Sequence, residues 1–192
     1  MSLVQQFRSI VIHGFRLALF LSADRNAFNV SYVASAIILT LIGCVLAGLH
    51  LLIIGANEAG DGLDTLLELV SPSLSAVIVA GLGRALSRRL PLRMLLSAVA
   101  GTLPATNAAE LLLKLLTRYL QVSLAKTPWP EGIAPALFAY MALMIFYLLL
   151  ITWDVLILYR TVRLIAGPPA LGLTLAISVI LAAIFAIGLG AT

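Results

Sequence analysis

Apolar residues gather into five runs, at 30–54, 66–86, 92–116, 133–158 and 170–190, separated by shorter polar stretches. Each run is about the 20 residues that an α-helix needs to cross a hydrocarbon core of roughly 30 Å. Within the runs the apolar positions are continuous rather than alternating, which argues against the strands of a lipid-facing barrel. Backbone polar groups in lipid must find partners inside their own segment, and that leaves helices. The expected fold is all-α: a polytopic membrane protein whose single domain, residues 30–192, holds five transmembrane helices, preceded by an amphipathic segment over residues 1–29.

In that first segment Leu3, Val4, Phe7, Val11, Phe15 and Ala18 share one helical face, with Gln5, Gln6, Ser9, His13 and Arg16 toward the other. This predicts a helix lying in the membrane interface as an orientation anchor. The first run is free of charge, and its Gly43, Cys44, Ala47 and Gly48 give a small-residue seam for helix packing. Ala56 to Glu68, with four acids and no base, reads as an external loop. The second run starts near Leu66 so that Glu68 and Pro72 fall in its outer turn; a re-entrant half-helix is the alternative. Pro104, Thr106, Asn107 and Glu110 interrupt the third run. Tyr119 to Gly132, carrying Lys126, Pro128, Trp129 and Pro130, reads as a second external loop. Gly167-Pro168-Pro169 turns the chain into the last run, where Ala182, Ala186 and Gly190 repeat the small-residue spacing.

Composition agrees with this picture: 62% of residues are hydrophobic and 10% charged, against about 25% charged in a soluble domain. Charge then orients it. In the five-helix topology nine of the twelve Lys/Arg fall on the side of the Arg84–Arg93 hairpin, while six of the eight acids fall on the other. The positive-inside bias makes the N-terminus internal and the C-terminus external. The net charge of +4 follows from these span-flanking bases, so nucleic acid is not an expected partner. Expected partners are the lipid bilayer and other membrane proteins or further copies of the chain. Ten arginines against two lysines, in an Ala- and Leu-rich chain, point to a bacterial inner membrane, with an ER or Golgi membrane as the alternative.

Two clusters carry the candidate chemistry. Asn107, Glu110 and Lys114 lie within about 80° of one helical face, with Glu110 and Lys114 in the favourable i, i+4 order. Arg84, Arg88, Arg89 and Arg93 form an inner-face cluster, with Asp154 near the inner end of the fourth run as a candidate partner. His13 and His50 have no second ligand at metal-binding spacing, and no cofactor is expected. There is no His-Glu-x-x-His, no Gly-x-Ser-x-Gly and no aspartate pair at mid-membrane, so the chain is not expected to be an enzyme.

Local patterns add a resemblance. Gly83-Arg84 with its short basic loop and restart at Leu92, Gly101-Thr-Leu-Pro104, and Trp153-Asp-Val-Leu followed by Arg160, Arg163 and Gly167 make the chain resemble the Yip family, five-helix membrane proteins that interact with Ypt/Rab GTPases. The resemblance covers the chain from about Val79 onward. It implies a non-enzymatic membrane protein that organises partners or membrane, a scaffold. The alternative, read from the third run alone, is a small transporter or channel subunit lined by Asn107 and Glu110.

Overall fold

The computed structural model describes residues 2–54, 63–88, 90–125, 133–168 and 170–190. Among them every regular element is helical: α1 (Leu3–Ala18), a 3-10 turn (Arg25–Phe28), α2 (Tyr32–Ile54), α3 (Leu63–Leu86), α4 (Leu92–Ala125), α5 (Ile133–Ala166) and α6 (Ala170–Gly190). Three helices are long and apolar enough to cross a bilayer, through Tyr32–Leu49, Leu69–Leu86 and Ala136–Ala166. Residues 56–62 and 126–132 of the expected outer loops lie outside the described residues, as do Arg89 and Pro169; the rest of both is helix rather than loop, 63–68 within α3 and 119–125 within α4.

α3 is one continuous helix of 24 residues with Pro72 inside it, not a re-entrant half-helix. α4 likewise runs unbroken for 34 residues through Pro104, so the expected interruption of the third span is absent. Proline removes one backbone donor, and a helix packed on several sides tolerates that loss. Nearby hydroxyls also take up carbonyls of α4: Thr102 Oγ1 donates to Val99 O at 2.9 Å and Thr106 Oγ1 to Leu103 O at 3.1 Å.

α4 is the hub, in contact with α1, α2, α3 and α5. Its buried stretch is Met94, Leu95 and then Ser97 through Thr102, a run in which only Val99 is larger than a threonine. Such small side chains let neighbouring backbones come close. At the α1 crossing they come into direct contact: a Cβ on Gly14 would overlap the carbonyl oxygen of Gly101, and one on Gly101 would sit 2.7 Å from Ile10 O. Gly43 faces Leu69 O in the same way, so α3 covers the α2 seam at Gly43, while Cys44 and Gly48 of that seam stand exposed. Between α2 and α4, Ser35 Oγ and Ser97 Oγ are 2.8 Å apart and fully buried. Ser97 gives its proton to Arg93 O, so Ser35 is the donor in that pair.

The N-terminal segment departs from the expected single interfacial helix. α1 ends at Ala18 and docks on α4 through Ile10, Gly14, Leu17 and Ala18, while Leu3, Val4 and Phe15 are exposed. The side expected to face headgroups holds the returning chain instead: Ser31 N–H and Oγ both donate to Gln6 Oε1, Ser9 Oγ donates to Ala27 O, and Asp24 N–H donates to His13 Nδ1. The turn is made by Phe20 at φ 59°, with Leu21 N–H closing on Arg16 O at 2.7 Å. A left-handed residue at this position closes a helix C-terminus, and a residue with a Cβ adopts it at a cost. α5 supports it: Trp153 Nε1 donates to Ala18 O at 3.0 Å, Arg160 donates to Leu17 O and Leu21 O, and its guanidinium lies 5.3 Å from the Phe20 ring centroid. Trp153 and Arg160 are thus the partners of the end of α1.

Replacing Gly14 with leucine is expected to detach α1, lowering stability by about 1–3 kcal/mol as an overpacked contact does. Faster tryptic cleavage after Arg16 and Arg25, with a lower unfolding midpoint, is the measurement. Ser97→Ala strands the buried Ser35 hydroxyl and should cost about 1 kcal/mol, whereas Ser35→Ala leaves Ser97 bonded to Arg93 and should cost about half as much. Denaturant unfolding in bicelles separates the two.

Candidate functional site

The hairpin between α3 and α4 is closed by its own arginines. The Arg84 guanidinium donates to the carbonyls of Arg88 and, at 3.0 Å, Leu90. Arg93 donates to Asn29 Oδ1, tying the hairpin to the segment that leads into α2. Arg88 is exposed. Asp154 is not among these groups. It lies about three turns, roughly 18 Å, from the Ala166 end of α5 and faces a cleft with Glu110, so it does not pair with Arg84 or Arg88 as expected.

That cleft, of about 370 Å³, is bounded by α3, α4, α5 and α6. Ser75, Leu103, Asn107 and Glu110 also border an adjoining cavity of about 420 Å³, lined further by Ser71, Pro72 and Lys114. Glu110 and Lys114 pair at 3.2 Å, each 53% exposed, so this end is a mouth. The polar stripe expected on α4 is therefore brought together: Asn107, Glu110 and Lys114 all line the passage. Sequence reasoning assigned Asp154 on α5 to the arginine cluster instead of this wall, and missed Thr161 on α5, Ser178 on α6 and Ser71 and Ser75 on α3. A signal was present, since Asp154 and Thr161 are seven residues apart and Ser71 and Ser75 four, spacings that put each pair on one helical face.

No protein-family model, curated protein or solved structure matches the chain. Function must therefore be argued from the passage itself. Among the described residues three buried side-chain polar atoms have no hydrogen-bond partner: Asn107 Nδ2, Thr161 Oγ1 and Ser178 Oγ. All three residues line the cleft. Each unsatisfied buried group costs about 1–3 kcal/mol, and three in one cavity are what water or a bound polar molecule would satisfy.

Toward the hairpin an apolar plug adjoins the cleft. Leu90, Leu95 and Ile177, each at most 1% exposed, converge on Gly83, where an added Cβ would meet all three side chains. Beyond this plug lies a separate cavity of about 430 Å³ lined by Leu90, Ser87, Arg25 and Gly167. Gly167, at φ 77°, turns α5 into α6 and donates its N–H to Arg163 O. Among the described residues no group of three His, Cys, Asp or Glu stands close enough to hold a metal ion.

A cysteine scan in a Cys44→Ala background checks that the cleft is wet. Ser178→Cys should react readily with a small cationic methanethiosulfonate reagent, while Leu95→Cys, within the plug, should be about tenfold slower or more, as expected for an inert buried thiol.

Proposed function

We propose that the protein is a five-span integral membrane protein that takes a small polar solute into the cleft between α3 and α6, as a transporter or channel subunit. The observation that carries this reading is the convergence of Asn107, Thr161 and Ser178, with their unsatisfied polar atoms, on one cavity. Polar and ionisable residues within a membrane domain are costly to keep and mark solute or ion pathways by default. A polar passage with an exposed mouth at Glu110 and Lys114 and an apolar plug at Gly83 has the layout of an access path closed on one side. In the orientation favoured by the arginine-rich hairpins, the mouth faces outward and the plug faces the cytoplasm. A bacterial inner membrane is the proposed location, supported by the arginine-dominated basic composition.

The second reading is a scaffold of the Yip type that works through partners. It is supported by Ala182, exposed on α6 at the start of the expected row of Ala182, Ala186 and Gly190. On α2, α3 fills the seam at Gly43, while Cys44 and Gly48 stand exposed and add to it.

Flux through proteoliposomes decides between the readings. Wild-type protein should carry a small polar solute, and Asn107→Leu with Glu110→Gln should lower the rate at least about tenfold, the effect of about 1.4 kcal/mol on a barrier. Flux that is absent, or unchanged by both substitutions, removes the transport reading and leaves the scaffold.

A further inference from the structure

The chemistry of the cleft wall selects the charge and hardness of its occupant. Most hydroxyls on these helices satisfy themselves, because a Ser or Thr in a helix can bond the carbonyl three or four residues back. Thr102, Thr106, Thr117, Thr152 and Thr174 do so, at 2.8–3.1 Å. Thr161 and Ser178 do not, and Thr161 is only 1% exposed. Their oxygens remain unused in the cavity that Asp154 also lines.

We infer that the cleft binds a small monovalent cation, an alkali ion or a primary ammonium, at the Asp154 carboxylate, with its water shell toward the hydroxyls of Thr161 and Ser178 two turns along the cleft. The charged groups lining the two adjoining cavities are Glu110, Lys114 and Asp154. Lys114 compensates Glu110 at 3.2 Å, so Asp154 is left as one net negative charge. One net charge suits a monovalent ion; a divalent ion takes six or more oxygens and favours several carboxylates. Carboxylate and hydroxyl oxygens are hard donors, and no thiol or imidazole lines the cavity, which disfavours soft transition metals. A volume of about 370 Å³ leaves room for the ion with part of its water shell, since a liquid water occupies about 30 Å³. A shell water also gives Asn107 Nδ2 the acceptor that it lacks. The inference rests on the polar passage proposed above and deepens it by naming the class of solute.

The test is binding by the full chain in lipid nanodiscs, read from its thermal unfolding midpoint. Sodium chloride or methylammonium chloride is titrated against choline chloride at constant ionic strength; the quaternary nitrogen of choline carries no N–H. A ligand that binds only the folded state raises the midpoint saturably with its concentration. Wild-type protein should show such a rise with at least one of the two ions, sodium alone marking an alkali-ion site and methylammonium alone an amine site. Asp154→Asn should weaken the apparent affinity at least about tenfold, and Thr161→Val should weaken it without abolishing the rise, as expected for one lost hydrogen bond to a shell water beside a retained charge. No saturable rise with either ion in wild type, or the same rise in Asp154→Asn, overturns the inference. The wild-type titration stands even if a variant fails to fold. Because this is an equilibrium measurement, cation binding without flux would remove the transport reading alone, and flux of an uncharged solute without cation binding would remove only the cation site.

Discussion

The fold depends on the run Ser97 to Thr102 in α4, where six buried residues, mostly small, allow other helices to approach the same stretch of backbone from several sides. Apolar attraction between helices is weak where the surroundings are as apolar as the side chains, so close backbone approach and dispersion must supply the association. Gly14 against Gly101 is the extreme of this, and the α2 seam at Gly43 repeats the device against α3. Because α1, α2, α3 and α5 all reach α4, its first half serves as a shared core.

The second half of α4 does the opposite. From Thr106 to Leu120 its residues are half-buried or exposed, and Thr106, Asn107, Glu110 and Lys114 line the space between α3 and α5. The change follows from side-chain size and polarity. Asn107, Glu110 and Lys114 cannot be close-packed against apolar neighbours without stranding their polar atoms, so the helices stand apart and leave the passage. The tight crossing and the cleft are two ends of one helix, and the apolar plug around Gly83 lies between the cleft and the hairpin.

α1 shows how tertiary contacts reassign residues that look like membrane-interface markers. Trp153 and Arg160 have the character of an aromatic and basic belt, yet both donate to carbonyls at the end of α1, where the left-handed Phe20 needs support. Gln6, Ser9 and His13 resemble a solvated polar face, yet they hold the return of the chain toward α2.

The sequence by itself determined the helical class, because long apolar runs without strand alternation favour helices locally along the chain. It also determined the stripe of Asn107, Glu110 and Lys114, since helical spacing alone puts them on one face. Only the tertiary structure decided what meets that stripe. Asp154 read as a partner for Arg84, but Arg84 bonds carbonyls of its own hairpin, and Asp154 stands about 18 Å along α5 facing the cleft. Periodicity fixes which side of a helix a residue occupies; it does not fix the rotation and depth at which two helices pack. Those follow from where small residues permit contact, and here Gly101 and its neighbours in α4 set them.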